Sequence, residues 1–227
     1  MYSRVFTLMG LVALANAAPQ SLANRETSSS GLSRTAQLTL ADNTVDRYNL
    51  LKDEEFIFDF FAPNAPPVAD RKTFPALVGT GVAVTVAEVP PCGMASVHIH
   101  PRASEIFIVT SGRLLTEMVT ELGVFNANGD PRVIRTEIKS GQITVFPMGT
   151  LHGQMNPDCT PASLVAGFNS EDPGTALVAL EFFNLSDEFV AHSLGDSINT
   201  SEVQKIRSAI SKTFLFEIEE CKKKCNL

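Results

Sequence analysis

Between residues 77 and 185, apolar and polar positions alternate in short runs, each bounded by turn residues. The runs are GVAVTVAEV (81–89), SVHIH (96–100), EIFIVT (105–110), RLLTEMVT (113–120), RVIRTEI (132–138), QITVFP (142–147), HGQMN (152–156), SLVAGF (163–168) and TALVALEFF (175–183). A period near two marks a strand with one face in a core. PPCG, NGD, PMG, NPD and DPG separate the runs, and such clusters set tight turns. Many short strands at near-regular spacing predict an all-β sandwich or barrel. Upstream, EEFIFDFF (54–61) alternates as well and predicts a strand, which NAPP (64–67) ends.

Past residue 185 the period lengthens. Ser186, followed by Asp187 and Glu188, has the form of a helix N-cap with acidic residues in the first turn. Val203, Ile206, Ile210, Phe214 and Ile218 recur at near-helical intervals and predict a second helix after Gly195. The expected organisation is therefore a β unit over 37–185, including an N-terminal extension, and a helical C-terminal extension over 186–227.

The N-terminus adds a destination. Arg4, the eleven-residue apolar run VFTLMGLVALA (5–15) and Ala15-Asn16-Ala17 form the three parts of a secretory signal over 1–17. Residues 18–36 are polar and Ser-rich, a flexible lead. A secreted, extracellular protein is expected, and its Asn184-Leu-Ser and Asn199-Thr-Ser triplets are glycosylation acceptors. The four cysteines, Cys92, Cys159, Cys221 and Cys225, are then expected in disulfides, with three connectivities open. Net charge is −7, and KKK at 222–224 is the one dense basic run. Nucleic acid and membrane are not expected partners.

Candidate chemistry lies in the histidines. The chain has four, and two of them, His98 and His100, are separated by one residue. On a strand they project to the same side. Glu105 opens the next run and shares parity with Phe107 and Val109, so it faces an apolar interior. A carboxylate there is costly unless paired or bound to metal. His152 opens HGQMN, with Gln154 and Asn156 on its face. If the two hairpins are neighbours, three imidazoles and one carboxylate surround one point. The competing arrangement is a buried His–Glu hydrogen-bonded network without metal. His192 falls in the helical tail and is expected to be an exposed helix residue.

These residues resemble the germin-like cupins, most closely the microbial spherulin-like secreted cupins. Gly93, His98, His100, Glu105 and Gly112 match the first cupin motif, and Gly141, Pro147, Gly149, His152 and Asn156 the second. HPRASE is close to the HPRATE string of germins, and GFNSEDPG (167–174) resembles the segment after the second motif. The resemblance implies a single jelly-roll β-barrel with a short helical C-terminal extension. It implies manganese on His98, His100, Glu105 and His152, with iron, zinc and copper as alternatives set by availability. Gln154 and Asn156 become candidates for orienting the ligands. A homo-oligomer through the barrel and C-terminal helices is implied, with a small molecule as a further partner.

Two functions follow from that resemblance. One is manganese-dependent redox chemistry on superoxide or a small organic acid. The other is a non-catalytic extracellular structural, stress or small-molecule-binding protein with a stabilising metal. Oxalate oxidation is disfavoured: germins that oxidise oxalate carry asparagines thirteen and three positions before the first ligand histidine, where this chain has Thr85 and Ala95. The N-terminal cysteine pair of plant germins is also missing. If the ligand-bearing strands run antiparallel and meet at the metal, Cys92 and Cys159 approach each other at their far end. Cys92–Cys159 and Cys221–Cys225 are the expected pairs.

Overall fold

The computed structural model describes residues 31–227. The expected signal segment and the lead up to residue 30 lie outside the described residues. Residues 34–36, placed in the flexible lead on sequence, instead begin helix α1 (Arg34–Thr39), whose N-cap Ser33 accepts from the Ala36 amide. Helix α2 (Thr44–Leu50) is capped by Asn43, which accepts from the Val45 and Asp46 amides. Leu38, Leu51, Ala76 and Val78 form a small core beneath these helices, with Phe74 against it.

The strand expected over 54–61 does not form. Asp53–Phe56 closes a 3-10 turn instead. Glu55 accepts from the Lys52 amide at 2.8 Å and from the Arg34 guanidinium at 2.9 and 2.7 Å. That local closure outweighs an alternation with no neighbouring strand to pair with.

Ten strands follow the expected order for the most part. They are β1 (Ala83–Val89), β2 (Gly93–Ile99), β3 (Glu105–Ser111), β4 (Arg113–Val119), β5 (Ile134–Lys139), β6 (Ile143–Phe146), β7 (Leu151–Met155), β8 (Ala162–Phe168), β9 (Ala176–Leu177) and β10 (Leu215–Glu217). They make a four-stranded sheet, β1-β8-β3-β6, and a six-stranded sheet, β10-β2-β7-β4-β5, with β9 also on β2. All of these pairings are antiparallel. No ladder among the described residues joins the two sheets, so the expected jelly-roll takes the form of a two-sheet sandwich that is not closed into a barrel. The core between them includes Phe107, Val109, Leu114, Ile138, Phe146, Leu164 and Phe168.

The chain crosses from one sheet to the other at Gly112, between β3 and β4. Its φ is +73°, and a Cβ there would lie 3.0 Å from that of Ala162. Only glycine meets both demands without strain.

Two further departures concern the C-terminal half. TALVALEFF was expected as a strand, yet only Ala176–Leu177 pair, and Val178–Phe183 form helix α3. The adjoining edge of β2 is occupied by β10, so the strand has nowhere to continue. Phe182 and Phe183 instead pack against Val190 and Val203. Helix α4 (Asp187–Ser193) begins as expected at Ser186, whose hydroxyl accepts from the Phe189 amide. Helix α5 (Thr200–Ala209), capped by Asn199, ends before Ile210. Phe214 therefore lies beyond the helix that its spacing suggested, and the chain returns to the sheet as β10 before helix α6 (Glu219–Cys225). The tail is thus not purely a helical extension.

The disulfides are Cys92–Cys221 and Cys159–Cys225, not the expected pairs. The antiparallel premise holds: β2 and β7 pair with His98 opposite His152. What intervenes is α6. Cys221 and Cys225 stand one turn apart on it, where Cβ atoms are about 5–6 Å apart, too far to bond each other. Each turns outward to one strand end. Peptide mapping of the oxidised protein is expected to recover Cys92 with Cys221 and Cys159 with Cys225; a Cys92–Cys159 peptide would contradict this fold of the tail.

Candidate metal centre

Three strands bring the candidate ligands together. His98 is on β2, and His100 follows its last residue. Glu105 opens β3, and His152 is the second residue of β7. One ligand atom from each lies within 4.8 Å of the others, and all four side chains are buried. His100 Nε2 and His152 Nε2 approach Glu105 Oε2 at 3.0 and 3.2 Å. The remaining histidine, His192, is exposed on α4 beside Asp196, away from this cluster.

The other ring nitrogens set the chemistry. Nδ1 of His98 lies 2.7 Å from the Ser96 carbonyl, Nδ1 of His100 2.6 Å from that of Gly174, and Nδ1 of His152 2.9 Å from that of Thr150. A carbonyl oxygen only accepts, so each Nδ1 carries the proton. In a neutral ring, Nε2 then presents a lone pair to the centre. Burial, reinforced by the adjacent His152, pushes the His98 imidazole down to about 3, so at neutral pH it has no second proton to offer. Burial acts to raise Glu105, but hydrogen bonds and charge from His100 and His152, when their Nε2 atoms carry a proton, outweigh it and hold the carboxyl below its ordinary value. Nitrogen lone pairs converging on a carboxylate could hold a cation among them. Three imidazoles and one carboxylate suit a first-row divalent ion.

Each imidazole also leans on a phenylalanine. Phe146 stacks on His152 at 4.2 Å and 10°. Phe168 meets His100 edge-on at 4.7 Å, and Phe214 meets His98 at 4.8 Å. Phe146 and Phe168 are also the cross-strand neighbours of Glu105. Sequence reasoning missed these supports and the Gly174 carbonyl. The available signals were the parity of Phe146 and Phe168 in their strands and the GFNSEDPG segment that ends at Gly174.

Gln154 and Asn156 take different parts. Asn156 is fully buried, and its amide nitrogen donates to the carbonyls of Val89, Pro90 and Thr160. It knots two loops together and makes no hydrogen bond to a candidate ligand, which corrects the expectation that it orients one. Gln154, 4% exposed, lies between Ala95 and Thr116 across the sheet, and its Nε2 has no hydrogen-bond partner. No imidazole bonds to it, so it does not orient the rings in the expected way either. A bulge in β2 between Ala95 and His98 turns both residues inward despite their odd spacing.

The cupin family model matches residues 65–202. The chain belongs to the cupin family. Within it, the relatives are germin-like and spherulin-like. Spherulin-1B of Physarum polycephalum is 34% identical over 95% of this chain and 87% of its own. Spherulin-1A of the same organism is 36% identical over 84% of this chain and 78% of its own. Among solved structures, an oxalate oxidase matches with a TM-score of 0.56 and 26% identity over 70% of this chain and 80% of that one.

The depressed His98 and Glu105 values give a signed pH dependence for the metal-free cupin. When folded, His98 stays neutral while its unfolded counterpart protonates below about 6.5, so stability is present above that pH and falls as pH drops toward 3. Glu105 adds a loss in the same direction below its ordinary 4.5. Each such group contributes a slope of at most about 1.4 kcal/mol per pH unit. Denaturant unfolding of the metal-free protein is expected to show lower stability at pH 5 than at pH 7, with a shallower difference in His98→Gln. Equal slopes in the two proteins would contradict the burial argument.

Proposed function

We propose that this chain is a secreted cupin that binds manganese through His98, His100, Glu105 and His152. One observation carries the reading: three Nδ1–H groups are committed to main-chain carbonyls, which turns three Nε2 atoms toward one buried carboxylate. Manganese bound there supplies one-electron redox chemistry and Lewis acidity. Four protein donors leave room for further ligands in the six-coordinate geometry such an ion adopts. Iron fits the same donors, and zinc or copper competes by affinity.

The chain's own residues bear on what enters. Gln154 offers an unpartnered amide donor in the interior, on the same strand face as His152. An anionic oxygen, from superoxide or a small organic acid, would satisfy it. Its cross-strand neighbour Ala95 brings no polar group, and Thr85 on β1 brings one hydroxyl. A dicarboxylate would leave part of its charge unpaired, at a cost in binding. Oxalate oxidation, named for the similar solved structure, is therefore not proposed.

A second reading is a non-catalytic extracellular structural, stress or small-molecule-binding cupin in which the metal stabilises the sandwich. It is supported by the burial of all four ligands, none more than 6% exposed. Two disulfides support secretion. No helix among the described residues is long and apolar enough to cross a membrane. Asn184 and Asn199 are exposed and open to glycosylation. Self-association through the β sandwich and C-terminal helices is part of the proposal, and a monomer by light scattering would remove it.

Elemental analysis of protein purified without chelator is expected to give about one manganese per chain, with His152→Ala or Glu105→Gln losing most of it. Superoxide and organic-acid turnover in the loaded protein favours the redox reading. Stabilisation by the metal without turnover favours the second. No stoichiometric metal in the wild type, even after manganese is offered, would overturn both.

A further inference from the structure

The C-terminal segment after the family match reaches back to the candidate centre. β10 pairs along β2, placing Leu215 opposite Ala95 and Glu217 opposite Gly93. Just before it, the Phe214 carbonyl accepts from the Ser96 amide at 2.8 Å, and the Thr213 carbonyl accepts from the Ser96 hydroxyl at 3.1 Å. Ser96 lies in the β2 bulge, and its own carbonyl holds Nδ1 of His98. The Phe214 ring packs on the His98 imidazole. A single short stretch therefore touches this ring directly and also holds Ser96, the residue whose carbonyl sets its tautomer.

The same stretch is fastened at both histidine-bearing strands. Cys92 immediately precedes β2 and bonds to Cys221, while Cys159 follows β7 and bonds to Cys225. The Ile218 amide donates to the Cys92 carbonyl at 2.9 Å. The two disulfides pack together, with Cys92 Sγ 3.6 Å from Cys225 Sγ. Helix α6 thus ties β2 and β7 together at their far ends, and β10 runs from that tie toward His98.

We infer that Thr213–Cys225 is a positioning clamp for His98, latched by the two disulfides, with Phe214 as its contact residue. The inference rests on the metal reading for its consequence, retention of the ion, and on the hydrogen bonds and ring contact for its geometry. A ligand ring freed to rotate, or to exchange its Nδ1 proton for one on Nε2, holds a metal less well. Losing such a support typically weakens metal binding about 10- to 100-fold.

The test uses the full-length, oxidised, manganese-loaded protein and follows manganese loss to excess EDTA. Phe214→Ala is expected to lose the ion at least about tenfold faster than wild type, with its circular dichroism and cooperative unfolding retained. Phe214→Tyr, which keeps the ring, is expected to behave as wild type. A variant with all four cysteines changed to alanine is expected to resemble Phe214→Ala. Equal rates in wild type and Phe214→Ala overturn the clamp. If wild type itself retains no manganese, the metal reading fails separately, and the clamp is judged on the metal-free protein. Imidazole 15N spectra should then place the His98 proton on Nδ1 in wild type and Phe214→Tyr, and show a tautomer mixture in Phe214→Ala. An unchanged tautomer in Phe214→Ala overturns the clamp in that case.

Discussion

Three hydrogen bonds, from imidazole Nδ1 to the carbonyls of Ser96, Gly174 and Thr150, decide what this molecule can do. Each bond is worth only about 1 kcal/mol in net stability. Their consequence is larger, because they orient the rings and choose the tautomer. Without them, the cluster around Glu105 is a buried polar network free to share protons. With them, it becomes a set of electron-pair donors that could hold a cation. A buried carboxylate with no positive partner costs several kcal/mol.

The surrounding fold follows from keeping those three carbonyls in place. Ser96 sits in a bulge that adds a residue to β2, Thr150 lies in the turn leading into β7, and Gly174 ends the loop after β8. Phe146, Phe168 and Phe214 come from β6, β8 and the tail, so each ring is braced from a different direction. Gly112 turns the chain from β3 in the first sheet into β4 in the second. Among the described residues, the amide of Gln154, on the same face of β7 as His152, is a buried donor that the interior leaves unmet.

Much of this was legible in the chain. The alternation over 81–168 marked eight strands because both faces of each strand have a definite environment, one apolar and one wet. Parity put His98 and His100 on one face and turned Glu105 inward, while grouping them with His152 needed the hairpins to be neighbours, as the resemblance to germin-like cupins implied. Legibility ended where long-range contacts chose between local options. EEFIFDFF alternates but meets no partner strand, so Glu55 and Arg34 close a turn there. TALVALEFF carries β-type residues, but β10 already occupies the neighbouring edge of β2. Phe214 and Ile218 kept helical spacing although the helix had ended, and nothing local foretold the return to the sheet. The cysteine pairing depended on that same return. The bulge explains why Ala95 faces inward, where simple alternation would have turned it outward.

A single cation is proposed to occupy the space among His98, His100, Glu105 and His152. A crystal structure of manganese-loaded protein with anomalous data collected above and below the manganese edge tests it most directly. One strong anomalous peak is expected within bonding distance of three Nε2 atoms and a Glu105 oxygen, with Nδ1 of each ring still on its carbonyl. Featureless density there in the loaded protein, with Glu105 hydrogen-bonded directly to protonated imidazoles, would contradict it.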